Sequence, residues 1–160
     1  MTKAIFLDRD GVINKEIGYV YRVEDFVLNG DVIESLKKLQ NAGFIFIVVT
    51  NQSGIAKELY THEDVEKVHK HMLLLMKENN ISIAEIYYCP HHSDVEPCIC
   101  RKPDSGMLEK AIARFNIDVS KSFLVGDKER DIQAAEKAGV RGILIESDSP
   151  LMNILPQIMA

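Results

Sequence analysis

Short apolar runs alternate with amphipathic helical patterns along the whole chain, and that alternation leaves few folds open. Ala4–Leu7, Phe44–Val49, Ile86–Tyr88, Phe123–Val125 and Gly142–Ile145 read as strands. Phe44–Val49 is apolar throughout and rich in β-branched residues, as a strand covered on both faces must be. The intervening stretches read as helices. Asp31–Gln40 has Val32, Ile33, Leu36 and Leu39 on one face and Asn41-Ala42-Gly43 as its stop. Thr61-His62-Glu63-Asp64 resembles a capping box and opens a helix that runs to about Asn79. Gly106–Phe115, Asp131–Ala138 and a terminal Leu151–Met159 complete the set. Strand–helix alternation predicts a doubly wound, mainly parallel α/β sheet. With 160 residues and no insertion long enough for a cap, the chain is expected to form a single domain spanning 1–160 with an open site.

In such sheets ligands bind beyond the carboxyl ends of the strands, so the residues just past each strand carry the chemistry. Past the first come Asp8-Arg9-Asp10-Gly11-Val12. Two carboxylates two residues apart point to the same side of an extended chain, and the glycine lets the backbone turn at once. One carboxylate can attack, the other can manage a proton, and together they can hold a metal. Past the second strand, Thr50-Asn51-Gln52-Ser53-Gly54 offers hydroxyl, amides and free backbone N–H groups suited to phosphate oxygens. Past the fourth, Gly126-Asp127-Lys128-Glu129-Arg130-Asp131 brings Asp127 to the same edge as a further hard oxygen ligand for Mg²⁺. Asp131 reads either as a helix cap or as part of the site, and Lys128 as a surface lysine or a phosphate ligand.

The three cysteines all fall between Cys89 and Cys100. Cys89-Pro90-His91 and Cys98-Ile99-Cys100, separated by a six-residue loop, fit a tetrahedral Zn²⁺ site of three thiolates and one imidazole. His91 has the better spacing and His92 competes with it. Four protein ligands leave no open position, so this zinc is structural, bracing the loop 89–100 that leads into Arg101-Lys102-Pro103. Cations are needed beside a transferring phosphoryl group, and Arg101 can fork onto an anion while Lys102 acts as a compact charge. His62, His69 and His71 lie on the helix after Thr61 and read as bystanders, and Met72, Leu73, Leu75 and Met76 read as packing. A net charge of −5 without a basic cluster argues against nucleic acid as partner. No apolar run approaches the roughly 20 residues of a membrane span. Only four apolar residues precede Asp8, which is not a secretory signal. A cytoplasmic monomer acting on a small molecule is the expectation.

With these motifs in place the chain resembles the haloacid dehalogenase superfamily over nearly its whole length. The resemblance rests on Asp8-Arg9-Asp10-Gly11-Val12, Thr50, Lys102, and Gly126-Asp127 with Asp131, in order. The cysteine segment resembles the zinc-bearing branch, which holds heptose-1,7-bisphosphate 7-phosphatases and histidinol-phosphate phosphatases. Gly18-Tyr19-Val20, Thr50–Ala56, Tyr87–His92 and Gly126-Asp127-Lys128 look closer to the heptose enzymes, whereas the short loop between the ligand pairs is comparable to the histidinol-phosphate branch. The resemblance implies a Mg²⁺-dependent phosphatase of a small phosphorylated sugar, working in nucleotide-activated heptose synthesis, or of histidinol phosphate. It implies that Asp8 attacks phosphorus and Asp10 serves as acid and then base. It gives Mg²⁺ to the Asp8 carboxylate, the Asp10 carbonyl and Asp127, and the phosphoryl group to Thr50 and Lys102. Substrate recognition falls to Glu16, Ile17, Gly18, Tyr19, Asn51, Gln52, Ser53, Arg101 and Lys128, with Asp131 behind the metal. A phospho-accepting receiver domain also clusters carboxylates, a hydroxyl and a lysine at strand ends, but it would label stably with a phosphodonor where a phosphatase turns over.

Overall fold

The computed structural model describes residues 1–160. Five strands form one parallel sheet: β1 (Ala4–Leu7), β2 (Ile45–Asn51), β3 (Ile83–Cys89), β4 (Phe123–Gly126) and β5 (Arg141–Leu144). Their spatial order is β3-β2-β1-β4-β5. The helices are α1 (Val32–Asn41), α2 (His62–Glu78), α3 (Gly106–Phe115), α4 (Glu129–Lys137) and α5 (Leu155–Met159).

Strand side chains alternate faces, and each central strand feeds two cores. Ile5 and Leu7 of β1, with Phe46 and Val48 of β2, join a cluster closed by Val32, Leu36 and Leu39 of α1, Val68, Met72 and Met76 of α2, and Leu155 and Ile158 of α5. Ala4 and Phe6, with Ile47 and Val49, point the other way, onto Met107, Leu108 and Ala111 of α3 and Ala134 and Ala135 of α4. This is why the two strands read as unbroken apolar runs. It is the doubly wound arrangement expected from the sequence.

Several boundaries differ from expectation: β2 covers Ile45–Asn51 rather than 44–49, so Thr50 and Asn51 end that strand, and β5 covers Arg141–Leu144 rather than 142–145. β3 covers Ile83–Cys89 rather than 86–88. It is an edge strand with half-buried side chains, and Glu85 in its middle hides it from a search for apolar runs. α4 starts at Glu129, which places Asp131 inside the first turn. The terminal segment is a 3₁₀ turn, Leu151–Ile154, followed by α5; Pro156 cannot donate a backbone hydrogen bond and sits where a helix can begin afresh. The capping box at Thr61 forms as read, with Asp64 N donating to Thr61 Oγ1 at 3.1 Å and Thr61 N donating to Asp64 Oδ2 at 2.9 Å. Leu73 is 41% exposed rather than packed, whereas Met72 and Met76 are fully buried.

The chain winds outward from β1 through β2 to β3, then returns to place β4 on the other side of β1. The direction reverses between β1 and β4. A crevice forms at such a switch point, beyond the carboxyl ends of the strands. Asp8 follows β1 directly and Asp127 follows β4 directly, so both stand at its mouth.

Candidate active site

A cleft of about 310 Å³ opens at the switch point, lined almost wholly by polar side chains. Asp8, Asp10, Thr50, Lys102 and Asp127 meet on its floor. Lys102, only 1% exposed, reaches in from the loop after β3. Its Nζ lies 3.1 Å from Asp8 Oδ1, 2.5 Å from Asp131 Oδ1, and donates to the Val49 carbonyl at 2.9 Å. Burial alone would lower the Lys102 pKa, but Asp8 and Asp131 outweigh it and raise it. Burial pushes the Asp8 carboxyl well above the usual carboxylate range; Lys102 opposes that shift, and Asp131, Asp10 and Asp127 add to it. Asp8 Oδ1 also accepts from Arg9 N at 2.9 Å, so Oδ1 is held and Oδ2 is left for chemistry.

Lys102 owes its position to Asn51. Asn51 Oδ1 accepts from Lys102 N at 3.0 Å and Asn51 Nδ2 donates to the Lys102 carbonyl at 3.1 Å. This paired contact fastens the loop to the end of β2. Gln52 is similarly committed: its Oε1 accepts from Tyr60 OH at 2.7 Å, and its Nε2 donates to Thr50 Oγ1 at 3.1 Å and Asp10 Oδ2 at 3.3 Å. Both amides border the cleft but spend their hydrogen bonds on neighbours.

The residues present fit a hard cation. Asp8, Asp127 and Asp131 each offer a carboxylate oxygen, all within 4.8 Å of one another. Asp127 Oδ2 accepts from Ser147 Oγ at 2.5 Å, while its Oδ1 is buried without any hydrogen-bond partner. An orphaned buried carboxylate oxygen beside a second carboxylate is what a Mg²⁺ site presents when read from its ligands. Asp131 does not line the cleft; it is fully buried, ion-pairs with Lys102, and its Oδ2 accepts from Lys128 N at 3.1 Å to cap α4. Both of its alternative readings therefore describe one residue. Gly11 permits this packing: at φ +87° it turns the chain, and a Cβ there would lie only 2.1 Å from Asp127 Oδ2.

The cleft walls carry Glu16, Gly18, Tyr19, Ser53, Arg101 and Lys128. Glu16 Oε1 accepts from Gly18 N at 2.8 Å, which shapes the turn, and Glu16 N donates to Asp148 Oδ1 at 3.0 Å. Burial raises the Glu16 pKa. Burial lowers that of Arg101, and the nearby Arg130 charge lowers it further. Ile17 is a correction: it lies outside the cleft lining and is 59% exposed, because the turn at Gly18 directs it to solvent. Val20, Lys57, Tyr60, His92 and Arg130 also line the cleft and were not singled out from sequence as cleft residues. Arg130 and Lys57 carry the one available signal, cations a few residues from site motifs.

Beside the cleft, Cys89, His91, Cys98 and Cys100 converge. Cys89 and Cys98 sulfurs are 3.7 Å apart, and His91 Nδ1 is 3.4 Å from Cys89 Sγ and 3.2 Å from Cys100 Sγ. Tetrahedral Zn²⁺ with Zn–S near 2.3 Å and Zn–N near 2.0 Å requires edges of roughly 3.5–3.8 Å, close to these. The structure joins Cys89 to Cys100 through their sulfurs, a pairing the sequence reading did not expect. The same four donors fit zinc once that pair is reduced. His91 Nε2 faces Glu96 Oε1 at 3.7 Å, the kind of outer carboxylate that orients an imidazole toward a metal. His92 instead accepts from Asp94 N at 3.1 Å and turns to the cleft, so it is His91 that the fold brings to the three sulfurs.

Residues 99–150 match a family model described as HAD-hydrolase-like. A D-glycero-α-D-manno-heptose-1,7-bisphosphate 7-phosphatase of Photorhabdus laumondii is 41% identical over 155 residues, covering 92% of this chain and 85% of the relative. The chain belongs to the heptose-bisphosphate phosphatase family of the haloacid dehalogenase-like hydrolases. The β-anomer-named family member of Escherichia coli K12 is also 41% identical, covering 92% and 81% of the two chains. A crystal structure of the family member from B. bronchiseptica, complexed with magnesium and phosphate, superposes with a TM-score of 0.85 at 30% identity, covering 98% of this chain and 87% of that one. No helix here is long and apolar enough to cross a membrane.

Proposed function

We propose that this chain is a Mg²⁺-dependent phosphatase that hydrolyses the 7-phosphate of D-glycero-D-manno-heptose 1,7-bisphosphate, in the supply of nucleotide-activated heptose. The observation that carries the reading is the arrangement on the cleft floor: Asp8 with one oxygen held by Lys102 and one free, beside the orphaned Asp127 Oδ1. Asp8 Oδ2 attacks the 7-phosphorus and forms an aspartyl-phosphate, while the bond from phosphorus to the sugar oxygen breaks. Asp10 gives its proton to that oxygen, then takes one from the water that attacks the aspartyl-phosphate, releasing phosphate and restoring Asp8. Thr50 and Lys102 steady the phosphoryl oxygens. Asp8, the Asp10 carbonyl and Asp127 would hold the Mg²⁺, which supplies charge neutralisation at the phosphoryl oxygens.

Glu16, Gly18 and Tyr19 border the sugar, with Asn51, Gln52 and Ser53 opposite. Arg101 and Lys128 meet the second phosphate. Arg101 supports this assignment because its charge sits close to that of Arg130 and is relieved by an anion. Asp131 acts behind these residues by holding Lys102. Cys89, His91, Cys98 and Cys100 would hold a Zn²⁺ that braces the loop presenting Arg101 and Lys102. Thiolate ligands need a reducing compartment, and the reading takes the chain to work in the cytoplasm, as a monomer.

The test is phosphate release with Mg²⁺ from both anomers of heptose 1,7-bisphosphate and from histidinol phosphate, with Asp8→Asn as control. Preference for one bisphosphate anomer, lost in the control, is expected. Preference for histidinol phosphate would overturn the substrate assignment.

A further inference from the structure

Arg9 is among the largest fully buried side chains, at 0% exposure, and it does not line the cleft. A guanidinium keeps its charge at any working pH, so burying one is costly unless its N–H groups are satisfied. Arg9 Nε donates to Asp10 Oδ1 at 3.0 Å, and Nη2 donates to Asp10 Oδ2 at 3.2 Å and to the Val20 carbonyl at 2.8 Å. Nη1 lies 3.1 Å from Nε2 of His69, a residue of α2 sixty positions away. Arginine can only donate, so His69 Nε2 is the acceptor and the ring proton sits on Nδ1. Burial, with the Arg9 charge, lowers the His69 pKa to about 3, which keeps that acceptor free. The ring is held edge-on to Tyr88, with centroids 5.5 Å apart.

The far side of Asp10 is gripped as firmly. Oδ1 also accepts from Asn14 Nδ2 at 2.8 Å, and Oδ2 from Gln52 Nε2 at 3.3 Å. Each carboxylate oxygen thus takes one bond from the Arg9 fork and one from an amide; the Gln52 contact, the longest at 3.3 Å, gives way when Oδ2 carries the proton destined for the leaving oxygen, while the fork stays in place. A bidentate fork sets the plane of a carboxylate as well as its position, which a point charge does not.

We propose that Arg9, seated on His69, is a positioning residue that fixes the orientation of the Asp10 carboxylate, so that α2 braces proton transfer from a helix that never reaches the cleft floor. The inference rests on the reading that Asp10 protonates the leaving sugar oxygen. General acid assistance matters for a sugar alkoxide and hardly for 4-nitrophenolate, which leaves as a stable anion. Parameter kcat/KM reports the steps through phosphoryl transfer to Asp8, and it separates positioning from general damage.

The experiment measures kcat/KM for heptose 1,7-bisphosphate and for 4-nitrophenyl phosphate in wild type, Asp10→Asn, Arg9→Met and the double variant. General acid catalysis is typically worth 10²–10⁴-fold, so Arg9→Met is expected to lose roughly 30-fold or more on the sugar substrate and less than about threefold on the aryl one. The double variant is expected to be no worse than Asp10→Asn alone. Equal losses on both substrates, or additive losses, would overturn the proposal. Circular dichroism checks the fold. If Arg9→Met does not fold, Arg9→Lys, which keeps the charge without the fork, and His69→Leu, which removes the acceptor, are judged by the same split. A wild type that cleaves neither substrate, or an Asp10→Asn variant without the split, would instead refute the underlying reading, and the proposal with it.

Discussion

Replacing Lys102 by Met keeps the length of the stem and removes the only cation in contact with Asp8 and Asp131. The ammonium lies 3.1 Å from Asp8 and 2.5 Å from Asp131, and its side chain is 1% exposed. Without it, two buried carboxylates face each other, with an Asp127 oxygen within 4.8 Å of theirs. Removing one partner of a buried pair costs about 3–5 kcal/mol, because the remaining charge is uncompensated. In a chain of this size each kcal/mol moves Tm by roughly 2–4 °C, so the expected fall is on the order of 10 °C. The pH dependence has a definite sign. In wild type the raised Lys102 pKa gives stability that is present below the unfolded lysine value and lost only as pH rises through the folded value. In the variant, the Asp8 carboxyl, which burial already pushes upward, binds a proton in the folded state where the unfolded chain does not. The variant therefore regains stability as pH falls toward 5. Thermal unfolding in EDTA at pH 8 and pH 5, against wild type, measures this. A fall of less than about 2 °C at pH 8, or the same fall at both pH values, would refute the view that Lys102 neutralises a buried carboxylate cluster.

Four further outcomes are expected. Ser147→Ala removes the hydroxyl that holds Asp127 Oδ2, and Mg²⁺ affinity measured by titration calorimetry should weaken about tenfold or more. Gly11→Ala places a Cβ 2.1 Å from the same oxygen at φ +87°, and should abolish phosphate release while Gly18→Ala, with nothing within 4 Å, is milder. Chelation of the reduced protein should release one zinc per chain, seen with a colorimetric indicator, and lower Tm; Cys98→Ser should bind none. His69 has its folded pKa lowered to about 3, so stability is full above the unfolded value near 6.5 and is lost as pH falls from there. At pH 4.5 that loss is about 2–3 kcal/mol by denaturant unfolding, and His69→Gln should flatten this part of the profile.

The cleft floor was legible because its signals are local. Asp8 and Asp127 each follow a strand directly and Thr50 is the next-to-last residue of β2, and parallel-sheet topology carries strand ends to one edge. That His91 rather than His92 meets the cysteines is legible in the Cys-x-His spacing alone. What escaped notice depends on partners distant in sequence. In the sequence Arg9 is only the residue between two carboxylates and His69 one of three helical histidines, since nothing on α2 announces that it meets the turn after β1. Asn51 and Gln52 line the cleft, as the resemblance implies, but the sequence does not show that the fold also ties their amides to Lys102, Tyr60, Thr50 and Asp10. Ile17 failed because a turn at φ +100° on Gly18 decides which neighbour faces the cleft. The start of α4 was misplaced by two residues because Asp131 caps from the third helical position rather than from the cap itself.

The central claim is that the chain removes one particular phosphate from a sugar bisphosphate. Phosphorus NMR of heptose 1,7-bisphosphate with Mg²⁺ and the protein follows both phosphates at once. The account predicts that the 7-phosphate resonance gives way to inorganic phosphate while the anomeric resonance persists, and that Asp8→Asn leaves both unchanged. Loss of the anomeric phosphate first, or turnover that survives in Asp8→Asn, would contradict it.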